Sequence, residues 1–471
     1  MNPAQICRTL TLVGLLAVAG CGDDGGGSSA SNVGTLAYVV TSCREVAGVA
    51  TLHQELRILR GETETVTVMS VGPLGPFTSY GLCTVWGRAR DTLAPRLGAF
   101  QRLGMAPDGS GVVFELSDAS AQVGRDLLPP EQRGMYYVRA DGSGRRRLGP
   151  ASRVPAWYFV PPGGYWMNLR FGFDASGRQV TYPDLGPDEA GEEAPQVFVH
   201  TLATRERRQL TYLPRIAHEG DPPDIGWPSF IDAHTILFGR FSGQPNRVTY
   251  RTVDVDDRRV SDVPTVALPG GTLIPIFHII GGQWTAGSFD VPSEAVNPVA
   301  GWLMTAEVFV TDGTNVLQLT DFHRTDTTTW DPFVSPLDGR VYFTASADPL
   351  GTNPSYDCQI FSIEPLTRDL RQVTFFHEGG EHWAACFSNR RPDGCRIDFN
   401  LASQNPVTGA IYFRSSCDPL GRNPNGAQLF AIQPDGTGLR QLTNARGFVQ
   451  GEDRTVDVET VDFLWRSGPY R

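Results

Sequence analysis

The chain of 471 residues carries a net charge of −11, is 40% apolar and 19% charged, and all 40 of its basic residues are arginine. It is too long for one domain of ~100–200 residues and too acidic for a nonspecific nucleic-acid binder, which needs a basic face. The lack of lysine excludes P-loop phosphate chemistry and Schiff-base catalysis, and 52 glycines with 35 prolines favour short strands joined by turns.

Residues 1–20 hold Arg8 and then an apolar run from Leu10 to Ala19, the charged start and short hydrophobic stretch of an export signal. The run is too short to span a bilayer. It ends in Val18-Ala19-Gly20-Cys21, which resembles the bacterial lipobox. That resemblance implies cleavage before Cys21 and lipidation of its sulfur, and Gly22 in place of Asp implies the outer membrane. Residues 21–33 then read as the lipidated cysteine and a Gly/Ser tether with nothing apolar to pack. The expectation is an exported outer-membrane lipoprotein, facing the periplasm or the cell surface.

From residue 34 onward one unit recurs. Its clearest copies are 330–374 and 399–443, each an apolar strand, a Gly turn, a strand (Val341-Tyr342-Phe343; Ile411-Tyr412-Phe413), a loop, a strand (Gln359–Ile363; Gln428–Ile432) and a strand closing on Thr374 or Thr443. Earlier second strands are Ala37-Tyr38-Val39, Val112-Val113-Phe114, Val180-Thr181-Tyr182 and Ile236-Leu237-Phe238, with a poor one at Gly282-Gln283-Trp284. Short β-branched and aromatic runs between Gly, Pro and Asp turns are strand signals. Radial repetition of four antiparallel strands is the sequence form of a β-propeller. The expected fold is therefore all-β: a seven-bladed propeller over residues 34–471. The first unit lacks a first strand and residues 458–468 supply one, so the C-terminal strand is expected to complete the N-terminal blade and close the ring.

The motifs Ala106-Pro107-Asp108-Gly109, Ser335-Pro336-Leu337-Asp338-Gly339 and Asp435-Gly436-Thr437-Gly438-Leu439-Arg440-Gln441-Leu442-Thr443 resemble the WD-like propeller repeats of the TolB family. The resemblance covers residues 34–471 and departs from TolB in having no α/β domain before the propeller. It implies fold rather than activity. No Gly-x-Ser-x-Gly nucleophile elbow occurs.

Strand alternation sorts the connections onto two faces. The one-to-two and three-to-four connections are short Asp-Gly turns. The two-to-three and blade-to-blade connections hold the stretches 117–133, 183–195, 214–227, 287–306, 321–331 and 376–397, and with them the cysteines left after Cys7 and Cys21. Six thiols allow 15 pairings. Position on this face suggests Cys43–Cys83, Cys386–Cys395 and Cys358–Cys417.

The same face carries His218, Glu219, His323, His377, Glu381 and His382, imidazoles and carboxylates that could hold a divalent metal. Repetition of related blades explains the similarity of their contexts equally well. Trp383 could stack a ligand or fill core. Asp348-Pro-Leu-Gly-Thr-Asn353-Pro and Asp418-Pro-Leu-Gly-Arg-Asn423-Pro read either as calcium loops or as rigid turns in which Asp and Asn cap amides, the second reading having fewer demands. The sequence thus leads to a monomeric, membrane-anchored scaffold that binds an envelope protein or glycan through its loop face and does no chemistry. The alternative is a metal-dependent polysaccharide lyase or hydrolase similar to the oligogalacturonate lyases.

Overall fold

The computed structural model describes residues 34–465 except 62, 79–81, 85–98, 118–127, 155–156, 161–163, 168–170, 217–224, 242–247, 268–272, 276–284, 293–303, 313–314, 323–329, 336, 377–385, 387–396, 399–403, 406–407, 424–425 and 452. Asn32–Arg471 packs as a unit of its own.

That unit is an all-β propeller of antiparallel blades, and among the described residues six blades are present rather than the seven expected. Five have four strands. The second blade is Phe100–Met105, Gly111–Leu116, Gly134–Arg139 and Arg146–Gly149. The third is Gly172–Phe173, Gln179–Pro187, Glu193–Thr201 and Glu206–Gln209. The fourth runs from Ile225–Phe230 to Val260–Asp262, the fifth from Trp330–Val334 to Leu370–Gln372, and the sixth from Ile397–Asp398 to Arg440–Gln441. Where a seventh was expected, Thr285–Pro292, Met304–Thr311 and Val316–Gln318 form a sheet of three strands. Upstream of it, among the described residues, Thr265–Ala267 and Leu273–Pro275 pair with each other alone. No first strand joins the three-stranded sheet among the described residues, and the strand expected at 282–284 lies outside them.

The first blade closes the ring. Its order is Glu64–Phe77, Val49–Arg60, Gly34–Val46, Val456–Trp465 and Gly447–Gln450, so the C-terminal strand pairs with the N-terminal one. The register runs from Ala37 opposite Trp465 to Glu45 opposite Val456. Closure removes the two free edges that an open array would expose. The innermost strand, Gly447–Gln450, makes this blade five-stranded, which the repeat pattern does not anticipate.

The recurrent aromatic signals of strands two and three meet across the ladder. Phe114 opposes Tyr136, Tyr182 opposes Phe198, Phe343 opposes Phe361 and Phe413 opposes Phe430. Each pair stacks with ring centroids 5.4–6.2 Å apart. Such pairs contribute about 0.5–1.5 kcal/mol beyond the area they bury. Alternate residues point to the neighbouring blade: Phe198 and Tyr182 join Val113 and Leu148 of the second blade, while Val197 and Val199 join Ile225 and Phe238 of the fourth. These blades share their cores with their neighbours, and the ring is the folding unit.

Candidate binding face

Three blades end in the same buried polar lock, which explains the closing threonine. In the third, fifth and sixth blades the Thr211, Thr374 and Thr443 hydroxyls donate to the side-chain oxygens of Gln196, Gln359 and Gln428, at 2.8, 2.8 and 2.7 Å. The same oxygens accept the backbone amides of Leu213, Phe376 and Ala445, and each Gln amide donates to the matching carbonyl. In the three-stranded sheet Glu307 takes the glutamine's place, bonded to Thr320 at 2.5 Å and to the Phe322 amide. The Gln of each Arg-Gln-x-Thr end caps the threonine carbonyl, as Gln372 does at 2.7 Å. Burial this complete is tolerated because the threonine hydroxyls and both polar atoms of Gln196, Gln359 and Gln428 have partners. The lock fixes the exit of strand four and so aims the first residue of each blade-to-blade loop. In two blades that residue is an exposed aromatic, Tyr212 or Phe375.

Antiparallel order places Cys43, Cys83, Cys358, Cys386 and Cys417 at this loop end. Cys43 bonds Cys83, as position suggests. The other two expected pairings are corrected: Cys358 bonds Cys386, linking the fifth blade's two-to-three loop to its own exit loop. Cys417 is disulfide-bonded as well. A two-to-three loop and the blade's own exit lie at the same end of one sheet, within the ~4.4–6.8 Å that a disulfide spans between Cα atoms. Here that separation is 4.8 Å.

The repeated Asp-Pro-Leu-Gly loops are held by their own polar groups. Asp348 and Asp418 accept the amides of Asn353 and Asn423 at 2.7 Å. The buried Asn353 amide donates to the Ala347 and Asp357 carbonyls, and Asn423 donates to Cys417. Gly351 and Gly421 sit at φ of 69° and 65°, where other residues are strained. The hydrogen bonds describe capped turns. The loop of the fifth blade carries Leu350, 44% exposed, on the same blade as Phe375, 56% exposed. Thr352 ties it to Gln372 at 2.6 Å.

Two of the stretches read as loops are instead strand. Residues 183–195 are the tip of a long hairpin, Pro187 opposing Glu193, and 287–306 contains the paired ends of Thr285–Pro292 and Met304–Thr311. At the first of these hairpins lies a cleft of about 320 Å³ lined by Arg153, Leu185, Glu193, Phe198, Arg207 and Gln209, among others. Arg207 stacks on Phe198, 3.8 Å from the ring centroid, and donates to Asp184 at 2.5 Å and to the Tyr182 hydroxyl at 3.2 Å. Burial pushes that hydroxyl up to about 12. Asp184 also accepts the Arg153 and Leu185 amides. Arg153 in turn bonds Glu193 and the Leu185 carbonyl. Guanidiniums, a carboxylate and an aromatic face can orient polar ligand groups; no nucleophile with an adjacent base stands among these lining residues.

Behind Arg153 is a fully buried ion pair, Arg102 to Glu115 at 2.7 Å, with Arg102 also donating to the Val154 carbonyl at 2.6 Å. The sequence signal for it is a charge inside each of two largely apolar strands. His200, 1% exposed, lies between the second and third blades with no hydrogen-bond partner on either ring nitrogen. Burial and the charges of Arg207 and Arg146 push it down to about 4.

Cys21, His218, Glu219, His323, His377, Glu381, His382, Trp383 and Cys395 lie outside the described residues. Among the described residues there is no group of three metal-ligating side chains, and no helix is long and apolar enough to cross a membrane.

No family model and no curated protein matches the chain. Solved structures to which it is similar include an oligogalacturonate lyase from Vibrio parahaemolyticus, at 11% identity and TM-score 0.42, covering 76% of this chain and 80% of that one. The β-propeller domain of the Trilobed protease from Pyrococcus furiosus matches at 9% identity and TM-score 0.41, over 87% and 98%. TolB from Acinetobacter baumannii matches at 12% identity and TM-score 0.34, over 90% and 82%.

Proposed function

We propose that this protein is an exported, membrane-tethered propeller that captures an envelope protein or glycan on its loop face. The observation that carries the reading is the asymmetry of the two faces. Six of the eight exposed large apolar side chains, Val46, Val49, Tyr212, Leu350, Phe375 and Val449, stand at the loop end, and so do the described disulfides. Only Leu337 and Leu366 stand on the turn face among the described residues. Stapled loops on a rigid scaffold are where binding sites concentrate, and disulfides agree with an oxidising compartment. Tethering would come from Cys21.

A photo-crosslinker placed at Phe375 or Leu350 in the native envelope is expected to give one discrete adduct. The same reagent at Leu366 is expected to give none. Adducts from Leu366 alone would contradict the reading. Stoichiometric metal lost on His377→Ala with His382→Ala would replace it with a metal-dependent activity.

A further inference from the structure

The loop face leaves the opposite side of the propeller without a role, and that side holds an unusual concentration of charge. Between Arg133 and Arg147 the chain has five arginines and one acid, Asp141, in a protein whose net charge is −11. These residues form the three-to-four hairpin of the second blade, Gly134–Arg139 paired with Arg146–Gly149. Arg146 donates to the Leu202 carbonyl at 3.0 Å and lies 5.0 Å from the Tyr137 ring centroid, bringing the hairpin against the third blade's own turn, which carries Arg205 at φ 60°. Arg139, Arg145, Arg147 and Arg205 are exposed. None of these four, nor Arg146, makes an ion pair among the described residues. The acids of the neighbouring turns are engaged locally: Asp108 accepts the Ser110 amide, Asp141 that of Ser143, and Asp174 those of Arg178 and Gln179. Glu206 is exposed beside Arg205, Asp108 and Asp141 are exposed as well, and Glu64 of the first blade's turn pairs with Arg60.

Topology adds the direction. Gly34 begins the second strand of the closing blade, and second strands begin on the turn face. The chain therefore enters the propeller on the side that carries the arginines. Were residues 21–33 the tether proposed above, a Gly/Ser-rich segment of that length would span only about 20 Å.

We propose that the arginine cluster Arg139, Arg145, Arg146, Arg147 and Arg205 docks the turn face on a phosphate-bearing lipid surface. Guanidiniums bind phosphate oxygens in pairs, and each basic side chain near an anionic leaflet adds a salt-sensitive increment of attraction. The acidic remainder of the protein is repelled by the same surface, so the contact orients the loop face outward. The biological setting rests on the tethering proposed above; the surface itself does not need it.

The test uses the fragment Asn32–Arg471, whose ring closes on its own terminal strands, with vesicles of phosphatidylcholine containing about 30% phosphatidylglycerol. Cosedimentation at about 50 mM salt is expected to exceed that on phosphatidylcholine alone at least tenfold and to fall sharply at about 300 mM. Arg139→Gln with Arg145→Gln, Arg147→Gln and Arg205→Gln is expected to lose at least about thirtyfold, with unfolding little changed, since none of the four is ion-paired and the bonds of Arg145 to Met69 and of Arg147 to the Arg133 carbonyl are exposed. Arg215→Gln with Arg422→Gln, on the loop face, should lose no more than about threefold. Equal binding to neutral and anionic vesicles, or full binding by the fourfold variant, would overturn the proposal. No acyl chain enters this assay, so its failure is separate from a failure of lipidation at Cys21, which the mass of the mature protein reports.

Discussion

Arg102→Ala is expected to destabilise the propeller by about 3–5 kcal/mol, because it leaves the Glu115 carboxylate buried without its counter-charge. Both side chains are almost wholly inaccessible, at 0% and 1% exposure. Burial holds the Glu115 carboxyl above its ordinary range, and the charge and hydrogen bond of Arg102 oppose that shift. Without Arg102 the carboxyl rises further, so the folded variant holds a proton that the unfolded chain has released. A raised carboxyl favours the fold at low pH and costs stability as pH climbs above the unfolded value of about 4.3. The gap between variant and wild type in urea unfolding should therefore be widest near neutrality and narrow at about pH 5. Arg102→Met with Glu115→Leu removes both charges and should fall within about 1 kcal/mol of wild type. A loss below about 1 kcal/mol for Arg102→Ala alone would show that the pair is hydrated.

His200→Leu is expected to flatten the acid limb of the stability profile. His200 stays neutral in the fold, at about 4, because burial and the flanking Arg207 and Arg146 disfavour a third positive charge. The unfolded imidazole takes up its proton at about 6.5. The group's contribution is thus full above about pH 6.5 and declines as pH falls toward 4, by about 2–3 kcal/mol in all. Carboxylates elsewhere titrate in the same window, so the informative quantity is the difference between the wild-type and His200→Leu curves. Parallel curves between pH 6.5 and 4 would mean that water reaches the ring.

The propeller itself was legible because its strands are written as short aromatic and β-branched runs at regular spacing, and because residues 458–468 have no place except beside residues 36–40. The blade count was not. Gly282-Gln283-Trp284 was weak as a strand, and the structure makes a three-stranded sheet from the residues that follow it. Cys43–Cys83 forms as expected, and the other two cysteine pairings failed for a different reason. Sequence sorts Cys358, Cys386 and Cys417 to one end of the ring, but which loop folds back on which depends on three-dimensional proximity that spacing does not encode. The hairpins at 183–195 and 287–306 were hidden by Pro, Gly and acidic residues that usually mark loops. The Gln–Thr lock left a visible trace, a glutamine and a threonine 15 residues apart in three units. Its meaning emerges only when strands three and four lie side by side. Charges inside apolar strands, Arg102 and Glu115, were the other available signal.

The sorting of loops from turns, and with it the opposition of a capturing face and a lipid-facing one, depends on the C-terminal strand lying against the first. Arg44 and Asp457 oppose each other in that register, on the solvent side of the sheet. Opposed residues of an antiparallel pair lie about 4.5–5.5 Å apart, within disulfide reach. Mass spectrometry of Arg44→Cys with Asp457→Cys after mild oxidation should find the two positions joined in the monomer, with Cys43–Cys83 retained. Two free thiols at positions 44 and 457 in the folded, oxidised protein would contradict the closed ring.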